Sequence, residues 1–238
     1  MPPTSGSIPA ARRALLLLGL AAAAGCATAA PPSVPVGPPA ADPQAVETEL
    51  VRATTPAAPR RVGFTWELDE AGSKVRGRGV VRAEPPERLR LDLFGPRGET
   101  YLAAALVGED FRVPPNVASR ISLPSPAMLW GAMGVVRPPA GATLQGASAT
   151  ETASSLRYRN AAGETTEYGV EGGRLRTVRR VGGSGALESL SLGYTVAGAL
   201  QRAEYRDWGA YRTLVLNIES IDDAARFPQD TWLPGAAR

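Results

Sequence analysis

The sequence predicts a mainly β (α+β) domain in which one antiparallel sheet meanders and curls into a barrel or half-barrel. The first reason is that segments with alternating apolar and polar residues follow one another at a spacing of about ten residues. The second is that short glycine-containing turns, such as 160–163 and 182–185, separate several of these segments. The third is that helical spacing is confined to two stretches, so we expect few helices.

The first half of the domain begins with a helix and continues as strands. Asp42-Pro43 is a typical helix start, and the apolar residues that follow predict a helix over 43–54. Beyond Pro59 the period changes to two, because apolar and polar residues alternate over 62–68. Further strands are predicted over 74–82, 89–93 and 99–106, and Phe111 and Val113 close this half.

An apolar helix separates the two halves. Ser125-Pro126 opens it, Arg137-Pro138-Pro139 ends it, and the predicted helix 127–136 contains no charged residue. Such a helix must pack against apolar groups on more than one side. Further strands are predicted over 143–147, 156–159, 166–170, 175–181, 187–196, 200–206 and 211–220.

Composition excludes several classes of function. The formal net charge is +3, and residues 1–25, which are predicted to be removed, hold two arginines and no acidic residue. The remaining charge is close to zero, which argues against a nucleic-acid partner. The chain has no His and one Cys, which excludes zinc sites built from His and Cys, Ser-His-Asp triads, Cys-His dyads and an internal disulfide. No motif supports the remaining enzyme chemistries, so we expect no metal, no cofactor and no catalytic residues.

The N-terminus has the pattern of a signal peptide. Arg12-Arg13 precedes an apolar run over 15–24 that is too short to cross a bilayer as a helix. The run leads into Ala23-Ala24-Gly25-Cys26, which resembles the lipobox of bacterial lipoproteins, although Ala23 stands where that motif usually has Leu. The resemblance implies cleavage before Cys26 and acylation of Cys26, which would anchor the protein in a membrane. Ordinary cleavage after Ala27-Thr28-Ala29 is the alternative.

A proline-rich stretch follows the cysteine. Residues 29–43 contain repeated Pro, which favours an extended polyproline conformation and predicts a tether. Ala27 follows the cysteine, and by resemblance to enterobacterial lipoproteins the lack of Asp there favours the outer membrane, with the protein facing the periplasm. The predicted organisation is a signal peptide over 1–25, a lipidated Cys26 with a tether over 26–43, and one domain over 44–238.

Two segments carry a resemblance to a known family. RLRLDLFGPRGETYLAAAL (88–106) places a GPxG turn between two strands, and SPAMLWGAMGVVRPP (125–139) is a short apolar helix that ends in a proline-containing loop. Together with the lipobox and the tether, their order resembles the LolA/LolB-like superfamily of bacterial lipoprotein carriers and receptors, nearest to the lipid-anchored LolB type. The resemblance implies an unclosed β-barrel of about 11 strands with a few short helices as a lid, which holds acyl chains in an apolar cavity.

The residues predicted to face this cavity lie on the apolar side of their strands or on the apolar helix. The predicted lipid-binding residues are Phe64, Trp66, Leu91, Leu93, Leu102, Met128, Trp130, Met133, Leu192, Tyr194, Leu214 and Leu216. The alternative for each of them is an ordinary core position, which for any single residue is the more common one.

The turn residues Pro96 and Arg97 are predicted to face the membrane. The LolB type carries an exposed Leu in the turn after the Pro, and this sequence has Arg97 there. An arginine at that position either contacts lipid headgroups or lies in an ordinary solvated turn.

Three functions fit the sequence. The first is a non-enzymatic outer-membrane lipoprotein, monomeric, that accepts acyl chains of lipoproteins or a phospholipid, with a periplasmic lipoprotein carrier as a partner, and helps to place them in the membrane. The second is a scaffold lipoprotein of an envelope complex, with a barrel filled by side chains. The third is an enzyme acting on envelope material, which would need two carboxylates facing each other in a cleft.

Overall fold

A sheet of twelve antiparallel strands forms the body of the structure, a computed structural model that describes residues 30–114, 122–223 and 226–234. The signal peptide predicted over 1–25 and the predicted lipidation site Cys26 lie outside these residues. The strands are β1 (Arg60–Glu70), β2 (Ser73–Glu84), β3 (Arg88–Phe94), β4 (Thr100–Val107), β5 (Asp110–Arg112), β6 (Thr143–Ala149), β7 (Ala153–Arg159), β8 (Thr165–Glu171), β9 (Arg174–Gly182), β10 (Gly185–Tyr194), β11 (Leu200–Asp207) and β12 (Arg212–Asp222).

The sheet is unclosed. Its strand order is β5-β4-β3-β2-β1-β12-β11-β10-β9-β8-β7-β6, so β5 and β6, consecutive in the chain, are the two edges. Neighbouring strands in the sheet are consecutive in the chain, except that β1 pairs with β12. The predicted fold class, a mainly β, unclosed antiparallel half-barrel with few helices, is confirmed.

Two α-helices and one 3-10 helix lie within the described residues: α1 (Pro43–Thr54), α2 (Pro126–Gly131) and the 3-10 helix Gln229–Trp232. The predicted start of α1 is confirmed, since Asp42 accepts a hydrogen bond from the backbone N–H of Ala45 at 3.0 Å. Neither α-helix among the described residues is long and apolar enough to cross a membrane.

Helix α2 is shorter than the predicted helix 127–136. The backbone N–H of Val135 donates to the carbonyl of Trp130 at 3.1 Å, and that of Gly134 donates to the carbonyl of Gly131 at 2.8 Å. Gly134 has a φ of 79°. These are the two bonds and the left-handed residue of a Schellman ending, so the glycine inside the apolar run stops the helix.

The register places apolar side chains on one face of the sheet. Residues directly opposite each other in an antiparallel pair point to the same face. Leu91 lies opposite both Val81 and Ala104, and Leu216 lies opposite both Trp66 and Ala203. This inner face is covered by α1 and α2, which contact β6, β7, β9 and β10.

Part of the predicted tether packs on the sheet. We call residues 34–40 the strap. The backbone N–H of Ala40 donates to the carbonyl of Ala147 at 2.9 Å, and Pro39 forms a bridge with Ser148 of edge strand β6. A Cβ at Gly169 would lie 2.6 Å from Cδ of Pro35, so this glycine lets the strap approach β8. The strap shields an edge that would otherwise be open to pairing with other chains.

Candidate functional site

The interior of the half-barrel has a filled half and an open half. Trp130 of α2 is fully buried in the filled half, where Tyr158 and Tyr168 meet edge to face at 5.9 Å between ring centroids. Gly131 packs so tightly that a Cβ there would lie 2.8 to 2.9 Å from the side chains of Leu190 and Val178. The helix therefore fills the space over β9 and β10.

A cavity of about 170 Å³ lies in the open half. Strands β1 to β4 and β10 to β12 form one wall, and α2 with the segment 122–124 forms the other. The side chains that line it are mainly Leu, Met and Ala, with Tyr101 and Tyr205 among them. It is an apolar pocket with few polar groups, the kind of lining that an aliphatic ligand requires.

The structure brings seven of the twelve predicted lipid-binding residues to this cavity. They are Leu91, Leu93, Leu102, Met128, Met133, Leu214 and Leu216. The remaining five are Phe64, Trp66, Trp130, Leu192 and Tyr194, which lie elsewhere in the interior or at its rim.

Phe64 and Trp66 share the inner face but lie against neighbouring glycines. The cross-strand partner of Phe64 is Gly79 and that of Trp66 is Gly77. A Cβ at Gly79 would collide with the ring of Phe64, while a Cβ at Gly77 would collide with the backbone carbonyl of Phe94 and lie 3.1 Å from the ring of Trp66. The indole Nε1 of Trp66 donates to the carbonyl of Arg78 at 2.9 Å. The two rings therefore lie over β2 and do not line the cavity. The glycines opposite them in β2 are the feature of the sequence that indicates this placement.

Tyr194 is the last residue of β10 and lies where the register between β10 and β11 shifts. Its hydroxyl donates to the carbonyl of Leu175 at 2.7 Å, and the guanidinium of Arg176 lies 4.9 Å from the ring centroid. Burial raises the pKa of Tyr194 to about 12, so the phenol stays a neutral donor.

A charged pair that the sequence did not single out stands at the mouth of the cavity. Arg212, the first residue of β12, pairs with Glu70, the last residue of β1. Nη1 of Arg212 also donates to the carbonyl of Ser122 at 3.0 Å. Glu70 and Ser122 are exposed, which marks this end as the mouth. Arg212 therefore fastens the segment 122–124, one wall of the cavity, to the sheet.

Deeper in the structure, a buried carboxylate fastens the start of α2. Glu188 of β10 is 4% exposed and accepts hydrogen bonds from the backbone N–H of Ser125 at 3.0 Å and from the hydroxyl of Tyr205 at 2.8 Å. Nε of Arg180 donates to its other oxygen at 2.6 Å. Burial and the nearby carboxylate of Glu188 raise the pKa of Tyr205, so its hydroxyl remains a donor.

The turn with Pro96 and Arg97 lies at the same end of the sheet as the mouth. Strands β1 and β3 both pair antiparallel with β2, so they run in one direction and the turns that follow them lie at the same end of the sheet, although β3 ends level with Thr65 of β1. Both turn residues are exposed. The guanidinium of Arg97 has no ion-pair partner among the described residues, while its backbone N–H donates to Glu99 at 2.9 Å.

Carboxylates are few around the cavity. Glu70 is the one carboxylate among the residues that line the cavity, and it is paired with Arg212. The described residues contain no group of three or more His, Cys, Asp or Glu side chains that could hold a metal ion.

Solved structures show the fold to be a known one, although no protein-family model and no curated protein sequence matches the chain. A LolA superfamily protein from Nitrosomonas europaea is 12% identical, with a TM-score of 0.55, over 81% of this chain and 98% of that one. A putative outer membrane lipoprotein-sorting protein domain from Vibrio parahaemolyticus is 10% identical, with a TM-score of 0.48, over 79% and 94%. The first match shows that this chain has the fold of a LolA superfamily protein, as the resemblance in sequence led us to expect.

Proposed function

We propose that the protein is a non-enzymatic lipoprotein of the outer membrane, monomeric, that binds acyl chains of lipoproteins or phospholipids and helps to place them in the membrane. The observation that carries the proposal is the apolar cavity between α2 and the β1–β4 side of the sheet. Each CH₂ group buried there contributes about 0.8 kcal/mol, so apolar burial alone can drive binding. The fold of a LolA superfamily protein supports the same reading.

The proposal includes lipidation of Cys26 and a LolB-like role. It also includes a signal peptide that ends at residue 25 and a tether that ends at residue 43. The lipobox supports a membrane anchor, and Ala27 supports the outer membrane. We propose further that a periplasmic lipoprotein carrier delivers the cargo and that Pro96 and Arg97 meet the membrane, since their exposed turn lies at the same end of the sheet as the mouth.

The size of the cavity requires its mouth to open. An apolar cavity of about 150 Å³ holds one benzene molecule, so 170 Å³ holds one part of a long acyl chain. Glu188 fixes the start of α2, whereas the segment 122–124 is held by the Arg212 contact at the exposed mouth. We propose that this segment swings outward to admit the rest of the chain.

Replacing Arg212 with Gln is expected to speed the uptake of acyl chains several-fold, because it removes the bonds to Glu70 and Ser122 that hold the mouth closed. The free energy of unfolding should change by less than about 1 kcal/mol, since the pair is partly exposed. Stopped-flow fluorescence with an acyl-chain probe measures the association rate. Arg202→Gln, which removes an exposed ion pair with Glu204 on the outer face, is the matched control, and equal rates in both variants would contradict the closing role of Arg212.

The direct test of the proposal is a titration of the Cys26→Ser protein with the same probe in detergent-free buffer. We expect saturable binding to one site, competed by unlabelled lipopeptide or phospholipid. Absence of saturable binding would overturn the proposal.

A scaffold function is the second candidate, because half of the interior is filled by large side chains such as Trp130, Tyr158 and Tyr168. A protein that retains this fold and binds no acyl ligand would favour the scaffold.

A further inference from the structure

The turn between β11 and β12 presents an exposed aromatic side chain beside the mouth. Tyr211 has 80% of its surface exposed, and its φ is 49°, a left-handed conformation that large residues rarely adopt. Its side chain has no hydrogen-bond or ring partner among the described residues. Its carbonyl accepts a hydrogen bond from the backbone N–H of Ala71 at 3.3 Å, which joins this turn to the turn between β1 and β2. The backbone therefore places the Tyr211 ring in an exposed position, without a hydrogen-bond or ring partner among the described residues.

Tyr211 belongs to the mouth end of the sheet. It immediately precedes Arg212, which pairs with Glu70 at the mouth. The turn with Pro96 and Arg97 lies at the same end. We call Tyr211 and Arg97, with Arg76 and Arg78 on the outer face of β2, the mouth rim.

The arginines of the mouth rim form no ion pair with the described residues, although Arg76 lies directly opposite Glu67 in the register of β1 and β2. Arg76, Arg78 and Arg97 are exposed, and no ion pair of theirs lies within residues 30–114, 122–223 and 226–234. The neighbouring cation Lys74 differs, because it is paired with Glu67 at 3.4 Å. A free guanidinium is well suited to bind a phosphate oxygen pair.

We propose that the mouth rim docks on the surface of a phospholipid bilayer, with the ring of Tyr211 at headgroup depth and the three arginines on lipid phosphates. Tyrosine favours this position because one end of its side chain is apolar and the other is polar. The inference rests on the proposed function, because docking brings the open end of an acyl-binding cavity onto the membrane. Acidic residues such as Glu67 and Glu99 also lie near this end. We therefore expect insertion of the Tyr211 ring to contribute more to docking than long-range electrostatic attraction to the bilayer.

The test is sedimentation of the full Cys26→Ser chain with vesicles of phosphatidylethanolamine and phosphatidylglycerol. Tyr211→Asn removes the ring and keeps a residue that tolerates positive φ, and it is expected to weaken vesicle binding by about fivefold or more. Tyr211→Trp should restore binding, since Trp also favours the interface. Arg97→Gln should weaken it to a smaller degree.

The matched control is Val196→Asn. Val196 is fully exposed in the turn between β10 and β11, at the opposite end of the sheet. We expect this variant to bind vesicles like the parent protein. Equal binding by the parent and Tyr211→Asn, equal loss in Tyr211→Asn and Val196→Asn, or no vesicle binding by the parent would each overturn the docking surface.

Titration with the acyl-chain probe, without vesicles, separates this inference from the proposed function. A parent protein that binds vesicles through Tyr211 but takes up no probe would support docking and contradict the carrier function. A protein that takes up the probe, and whose vesicle binding is unchanged by Tyr211→Asn, would support the carrier function and contradict docking.

Discussion

Replacing Ala203 with Phe is expected to weaken acyl-chain binding by more than about tenfold. Ala203 lies on the inner face of β11 and lines the cavity, opposite Leu216. A cavity of 170 Å³ is close to the volume that holds a single benzene molecule, so the added phenyl ring would occupy most of it. Fluorescence titration with the acyl-chain probe measures the loss.

The same substitution separates loss of binding from loss of fold. The new ring enters existing empty space, so the free energy of unfolding should change by less than about 1.5 kcal/mol. Gln201→Phe, two residues earlier and exposed, adds the same ring outside the cavity and should leave the affinity unchanged. Tight binding by a folded Ala203→Phe protein would show that the ligand lies elsewhere.

Replacing Glu188 with Ala is expected to lower the free energy of unfolding by about 3–5 kcal/mol, because it leaves the Arg180 guanidinium partly buried without its closest partner. The change also removes the acceptor for Ser125 at the start of α2. We expect the midpoint of thermal unfolding to fall by about 10 °C. Circular dichroism on heating and urea titration measure both quantities.

Two comparisons show whether the loss of stability comes from the weakened pairing of Arg180. Glu164 also pairs with Arg180, at 3.0 Å, but its side chain is 30% exposed, so Glu164→Ala should cost less than about 1 kcal/mol. Adding Arg180→Met to Glu188→Ala should recover part of the lost stability, since the partly buried guanidinium that lost its closest partner is then absent. A Glu188→Ala protein as stable as Glu164→Ala would contradict the anchoring role of Glu188.

The sequence predicts the inner face well because strand alternation is a local signal. Leu91, Leu93, Leu214 and Leu216 lie on the cavity wall as their period of two indicates. Strand alternation does not distinguish the residues that line a cavity from those that pack in a filled core. Trp66 shares the inner face, but the glycine across the strand lets its ring fold over β2.

The polar residues that organise the site depend on pairings over long distances in the chain. Glu70 and Arg212 meet because β1 pairs with β12, the pair that joins the two halves of the sheet. Glu188 meets Ser125 because α2 lies over β10. No local pattern marks these residues, since acidic and basic side chains on strands and turns are ordinary on a protein surface.

Helix length and the packing of the strap depend on single residues. The left-handed Gly134 ends α2, and Gly169 gives the strap access to β8. Both glycines are visible in the sequence, but their effect depends on which backbone lies beside them.

Native mass spectrometry of the Cys26→Ser protein, purified from the periplasm without detergent, shows whether the cavity carries an acyl chain. We expect a lipopeptide or phospholipid to travel with the protein in a one-to-one complex and to be absent from the Ala203→Phe variant. A parent protein that is empty after purification and stays empty when acyl ligands are added would contradict an acyl-binding function for the cavity.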